Sequence, residues 1–94
     1  MVPYPLHDHE YSVFVQILRD LRLELGVTQV QLAERLHVDQ SLVSKVERRE
    51  RRLDVAELRR VCVALGVPLT DFVARFERAL ALESTGRRKN ELKL

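Results

Sequence analysis

The sequence predicts an all-α fold, a compact bundle of five helices. Three observations carry that reading. Apolar residues recur at three- and four-residue steps in several separate runs, which is the helical period. Helix-capping residues stand immediately before those runs and glycines after two of them. No stretch shows the strict apolar–polar alternation of a half-buried strand.

The first helix is expected from about Asp8 to Leu25. Phe14, Ile17, Leu18, Leu21 and Leu25 form its stripe, and Tyr11 extends it. Gly26 then stands where a left-handed residue ends a helix. Met1 to His7 carries Pro3 and Pro5 and reads as an extended arm. The second helix opens at Thr28 and runs to Leu36. Thr28 with Gln31 makes a capping box, the hydroxyl taking one orphan N–H and the amide returning to the cap. Leu32, Ala33 and Leu36, with Val30, are expected to face inward; Ala33 is small enough to let two helices approach closely.

His37 and Val38 make a tight turn, and Asp39 is placed to cap a third helix, Gln40 to Glu47, where an acid suits the positive end of the helix dipole. Val43 and Val46 point inward and Leu42 lies off that face. Arg48 to Leu53 has no apolar periodicity and reads as a charged loop. Asp54 and Glu57 form a second capping box for a fourth helix, which buries Leu58, Val61, Cys62 and Leu65 and ends at Gly66. Thr70 is the expected cap of a fifth helix reaching about Glu83, with Phe72, Val73, Phe76, Ala79 and Leu80 as its stripe. The organisation is therefore one domain over residues 1–83 and a basic, flexible tail over 84–94.

A chain of 94 residues can form one core without disulfides. Its one cysteine, Cys62, excludes an internal disulfide framework, fits a reducing cytosol and sits mid-stripe as a small buried hydrophobe. No run approaches the roughly 20 apolar residues that span a bilayer, and the N-terminus has no signal-peptide pattern. His7 and His9 resemble half a metal site, but no further His or Cys ligands complete it, so neither metal nor cofactor is expected. No nucleophile–base constellation and no glycine-rich phosphate loop points to an enzyme.

The net charge of +2 is small, but positive charge is focused. Lys45, Arg48, Arg49, Arg51 and Arg52 stand against only Glu47 and Glu50, and the tail carries Arg87, Arg88, Lys89 and Lys93 against Glu91. The segment before Gly26 is net acidic. Local concentration of positive charge is what a phosphate backbone responds to.

Thr28-Gln29-x-x-Leu32-Ala33-x-x-Leu36, followed by x-Val38-x-x-x-x-Val43-Ser44-x-x-Glu47, resembles the phage Cro and repressor type of helix-turn-helix, also called the xenobiotic-response-element (XRE) family of bacterial regulators. Leu21-Arg22 upstream and Ala64-Leu65-Gly66-Val67 downstream fit the same pattern, and the likeness covers roughly residues 14 to 76. It implies a lambda-repressor-like DNA-binding domain. In such a unit the third helix lies in the major groove with its N-terminal residues at base edges. Gln bonds adenine, Lys bonds guanine, and Ser bonds several edges, which makes Gln40, Ser41, Ser44 and Lys45 the base-reading candidates. The resemblance further implies that Gln29 bonds a phosphate at a helix N-terminus, that Arg48, Arg49, Arg51 and Arg52 supply phosphate contacts, and that Arg22 pairs with Glu47 as a structural brace. The family usually has glycine where His37 stands, and often again near Arg48-Arg49; His is among the residues that enter positive φ.

The expected function is a sequence-specific transcriptional regulator, repressor or activator, working in a bacterial or phage-infected cytoplasm on nucleoid DNA. Its partners would be double-stranded DNA and a second copy, with Phe76 and Leu80 at the dimer interface and a two-fold symmetric operator. A toxin or the polymerase is a further partner that the family allows. Three alternatives stay open: an antitoxin, a restriction–modification controller protein, and a protein–protein adaptor that no longer binds DNA.

Overall fold

The structure, a computed structural model, describes residues 8–92, with side chains described through residue 83. The arm expected over Met1 to His7 lies outside the described residues. Five helices follow in order: α1 (His9–Glu24), α2 (Gln29–Leu36), α3 (Gln40–Glu47), α4 (Val55–Leu65) and α5 (Leu69–Leu92). No strand occurs among the described residues.

Local chemistry sets most of the helix ends. The Asp8 carboxylate accepts from the Glu10 N–H and starts α1. Thr28 and Gln31 close one capping box, and Asp54 and Glu57 close another, each with both reciprocal bonds formed. Gly26 (φ 71°) and Gly66 (φ 76°) take the left-handed conformation that ends α1 and α4. Between α2 and α3 the same conformation falls on His37, at φ 58° and ψ 44°. The Val38 N–H then donates back to the Ala33 carbonyl at 3.0 Å, closing the turn.

Two expected caps differ. Asp39 occupies the N-cap position of α3, but its side chain makes no capping bond; its backbone carbonyl accepts from the Leu42 N–H at 3.0 Å. Thr70 lies inside α5. The helix begins one residue earlier, and the Pro68 carbonyl accepts from the Asp71 and Phe72 N–H groups. The far end of α5 also differs, running to Leu92 rather than ending near Glu83. Ser84 to Leu92 holds no proline, and an existing helix propagates across its single Gly86 more readily than a new one nucleates.

The core joins all five helices. Ile17, Leu18 and Leu21 of α1 meet Leu32 and Ala33 of α2, Val43 and Val46 of α3, the whole predicted stripe of α4, and Phe72 of α5. Phe14 lies edge-on to Phe72 and Phe76, with ring centroids 5.5 and 6.0 Å away. Such tilted pairs are favourable beyond the area they bury. Leu25, Val30 and Val73, expected inside, are exposed. Leu25 is the C-cap of α1, where the chain reverses, and Val27 turns inward in its place. Val30 lies off the inner row of α2, which is Gln29, Leu32, Ala33 and Leu36 at steps of three and four. Val15 is buried although the stripe omits it.

One polar interaction crosses this core. The Arg22 guanidinium holds Glu47 through Nε to Oε2 at 2.6 Å and Nη2 to Oε1 at 2.9 Å. The two side chains are 7% and 6% exposed. The remaining Arg22 nitrogen, Nη1, donates to the Val27 carbonyl at 2.7 Å. The brace therefore fixes α1, the α1–α2 turn and the end of α3 together. Removing one partner strands a buried charge, so Glu47→Ala should cost about 3–5 kcal/mol. Urea unfolding measures this, and a loss under about 1 kcal/mol, the range of an exposed pair, would show that the pair does not brace the fold.

Candidate nucleic-acid interface

Burial of Val43 and Val46 decides what α3 shows to solvent. Gln40, Ser41 and Lys45 are exposed and Ser44 is half-buried. These are the four base-reading candidates, and the helix presents them as one polar strip. The Lys45 side chain makes no hydrogen bond or ion pair with any described residue, although, behind the Arg48 hydrogen bond, its charge helps hold the Glu50 carboxyl below its usual range.

Gln29 is more deeply engaged than the sequence suggests. It stands on the inner row of α2, half-buried, and its Nε2 donates to Glu47 Oε1 at 3.0 Å. Its Oε1 accepts from Gln40 Nε2 at 3.4 Å. A chain of contacts thus runs from the buried Arg22 through Glu47 and Gln29 to Gln40 on the exposed strip. The sequence signal was present, because Gln29 lies three and four residues from Leu32 and Ala33, but its polarity hid its inward position.

The loop arginines divide into two sets. Arg48 is spent locally: it donates to Glu50 Oε2 at 2.6 Å and to the Ser44 hydroxyl. Each partner shifts the other, the Arg48 bond holding the Glu50 carboxyl below its usual range and Glu50 raising the guanidinium. Arg51 donates to Glu57 at 2.7 Å and to the Arg52 carbonyl at 2.9 Å. Arg52 lies over the Tyr11 ring, 4.2 Å from its centroid, a cation–π contact. The Arg49 guanidinium has no hydrogen bond or ion pair among the described residues; its backbone N–H donates to the Val46 carbonyl at 3.0 Å, and its φ is 64°. That is the left-handed conformation for which the family uses glycine, here supplied by an arginine at a steric cost.

Tyr11 is the residue that sequence reading missed. Its hydroxyl accepts from the Leu53 N–H at 3.2 Å while its ring stacks near Phe14 and under Arg52. It ties the far end of the arginine loop to α1. As one more member of an apolar stripe it gave no signal of that role.

Phe76 and Leu80 stand half-buried on α5, which packs on α1 and α4. Leu82 is 76% exposed beyond them. Cys62 is fully buried, and burial pushes its thiol up, away from the reactive thiolate. His9 bonds Glu83 across α1 and α5 at 2.6 Å; His7 lies outside the described residues. No helix among the described residues is long and apolar enough to cross a membrane.

A family model described as helix-turn-helix matches residues 18–72. Among solved structures, an XRE-family like protein from Pseudomonas syringae pv. tomato str. DC3000 is 37% identical, with a TM-score of 0.73 over 78% of this chain and 89% of that one. The clp gene regulator ClgR from Corynebacterium glutamicum is 28% identical, with a TM-score of 0.72 over 96% of this chain and 93% of its own. The restriction–modification controller protein C.Esp1396I, a tetramer in complex with its natural 35 base-pair operator, is 26% identical, with a TM-score of 0.71 over 77% and 95% of the two chains. No curated protein sequence matches the chain.

The Arg51–Glu57 contact gives the loop a pH dependence. The Arg51 guanidinium beside Glu57, aided by the Asp54 backbone N–H, holds the Glu57 carboxyl at about 2. An unperturbed glutamate titrates at about 4.3. With the folded value below the unfolded one, ionised Glu57 stabilises the fold above about pH 4.3, and that contribution is lost as pH falls from there toward 2. Glu57→Gln keeps a capping-box acceptor without the charge. The stability gap between wild type and Glu57→Gln should therefore narrow steadily across that window in urea titrations; a gap independent of pH would contradict the assignment.

Proposed function

The chain belongs to the XRE family of helix-turn-helix proteins, and from that membership we propose that it is a sequence-specific DNA-binding transcriptional regulator. The observation that carries this reading is the exposed strip of α3, four hydrogen-bonding side chains backed by a buried brace. Three of the four, Gln40, Ser41 and Lys45, point to solvent, on a helix whose other face is locked into the core.

In the working complex α3 lies in the major groove with its first turn at the base edges. Gln40 bonds adenine through its amide, and its link to Gln29 fixes which way that amide presents donor and acceptor. Lys45 donates to guanine, and Ser41 and Ser44 supplement these contacts. The first turn of α2, at Gln29, meets a phosphate with its unpaired backbone N–H groups. The arginine loop gives further phosphate contacts through Arg49 and Arg52. Arg48 and Arg51 must exchange intramolecular partners to join them, so their contribution is smaller. The protein acts by occupying DNA rather than by catalysis, in the cytoplasm where that DNA lies.

A second copy completes the unit. Phe76 and Leu80 lie one turn apart on one face of α5, and pairing them across a two-fold axis sets two α3 helices about one turn of DNA apart. The likeness to nearly the whole length of a controller protein in complex with its operator favours the DNA-reading function over the antitoxin and adaptor readings.

Lys45→Ala should weaken binding to a selected operator by about 1–3 kcal/mol and relax preference at one base position. Binding assays over single-base operator variants test this; equal loss on every sequence would remove Lys45 from base reading. Sedimentation of the free protein should show a dimer at tens of micromolar, with Leu80→Glu shifting it to monomer. A wild-type monomer at that concentration would place dimerisation on the DNA and not in solution.

A further inference from the structure

Beside the α3 strip, Arg49 shares a hollow with Arg19 of α1, a residue to which the family resemblance gives no role. A polar hollow of about 490 Å³ opens between α1 and the end of α3. Its α1 wall runs from Ser12 to Arg19 and its other wall is Glu47 and Arg49. The groups facing it are mostly committed. The Ser12 hydroxyl donates to the His9 carbonyl at 2.7 Å, and the Gln16 amide to Asp20 at 2.8 Å. The Glu47 carboxylate is held by Arg22 and Gln29. The guanidinium groups of Arg19 and Arg49 make no hydrogen bond or ion pair with any described residue. Two guanidinium groups without a counter-ion therefore share one hollow with a carboxylate already neutralised.

Guanidinium forks match oxyanions, and two of them on one cavity repel each other until an anion lies between them. The Arg49 backbone adds to this. A non-glycine residue at φ 64° is strained, and the strain is tolerated at the residue whose side chain lines the hollow.

The hollow is also in the right place. An eight-residue helix such as α3 is about 12 Å long, close to the major-groove width of about 12 Å. With its first turn at the base edges, its last turn and Arg49 reach the wall of the groove, where the phosphates are. We propose that Arg19 and Arg49 form a phosphate-binding notch that grips one backbone phosphate flanking the bases α3 reads, bringing α1 into the DNA interface. This rests on the DNA-reading function above. Free inorganic phosphate is the other source of the same chemistry.

The test uses the intact protein and a duplex chosen by selection from random DNA. The slope of log K against log salt is measured for wild type, Arg19→Ala, Arg49→Gly, the double variant, and Arg78→Ala as an exposed-charge control on α5. One phosphate is worth a slope of about 0.9. Arg19→Ala and Arg49→Gly should each flatten the slope by up to that amount. The double variant should fall no further than about 0.9, because both arginines hold one phosphate. Arg78→Ala should leave the slope unchanged. Arg49→Gly should meanwhile melt a few degrees higher, since glycine enters positive φ freely, so its weaker binding is not a folding defect. A wild-type slope in Arg19→Ala, or equal flattening in Arg78→Ala, would overturn the notch while leaving the DNA reader intact. Failure of the wild type to select any duplex would remove both. Saturable shifts of the Arg19 and Arg49 side-chain N–H signals with millimolar phosphate alone would reassign the notch from DNA to a free anion.

Discussion

The buried pair of Arg22 and Glu47 is the constraint on which the rest of this structure depends. Burying two charges is costly, and only good geometry with every donor and acceptor used offsets it. Here the guanidinium makes two bonds to the carboxylate and one to the Val27 carbonyl. Those partners come from α1, the turn after it and the last residue of α3, so the pair forms only when all three are in register. Apolar packing alone is less demanding, since it has no direction and tolerates small slides. The brace turns an approximate packing of short helices into one arrangement, and that arrangement aims α3.

Its reach extends outward through Gln29. The Glu47 oxygen that accepts from Arg22 Nη2 also accepts from Gln29, which in turn accepts from Gln40. An exposed glutamine would ordinarily sample many rotamers and lose that freedom on binding, a cost of up to about 2 kcal/mol. A side chain already linked to the core has less to lose. The same logic applies at the far end of the arginine loop, where Tyr11 accepts from the Leu53 N–H just before α4 and lies beneath Arg52. α3 and the loop after it are thus held by side chains, Gln29 and Tyr11, that are not among the base-reading candidates.

Element order, most helix boundaries and the inner faces of α3 and α4 were legible in the sequence, because each rests on chemistry local to a few residues. Thr28 with Gln31, Asp54 with Glu57, and the two glycines need no tertiary information. What was not legible depends on the partner surface. Val30 and Val73 are apolar enough to be core, yet their helices rotate other residues inward. The absence of a side-chain bond at Asp39 and the early start of α5 depend on which carbonyl reaches the first-turn N–H groups, and sequence type cannot decide that. Of the four candidate readers, Gln40, Ser41 and Lys45 are exposed and Ser44 is half-buried, but the sorting of the arginines was invisible. Arg48, Arg51 and Arg52 look alike in sequence; only the fold shows which glutamate or ring each one meets.

That sorting changes how the net charge of +2 should be understood. The loop after α3 looks like a dense block of positive charge, yet much of it is cancelled within the loop and its neighbours. Glu50 takes Arg48 and Glu57 takes Arg51, while Glu47 is already occupied by Arg22 of α1. Among the described residues around α3, the Lys45 and Arg49 side chains remain without a hydrogen-bonded counter-ion, with Glu50 near enough to feel the Lys45 charge and Arg52 over a ring. On the DNA-reading proposal, arginines held by neighbouring carboxylates are less available to phosphates, and non-specific attraction to DNA grows with the number of phosphates neutralised. The pairing of the loop arginines would then lower the background of binding to any duplex relative to a loop whose arginines were all free.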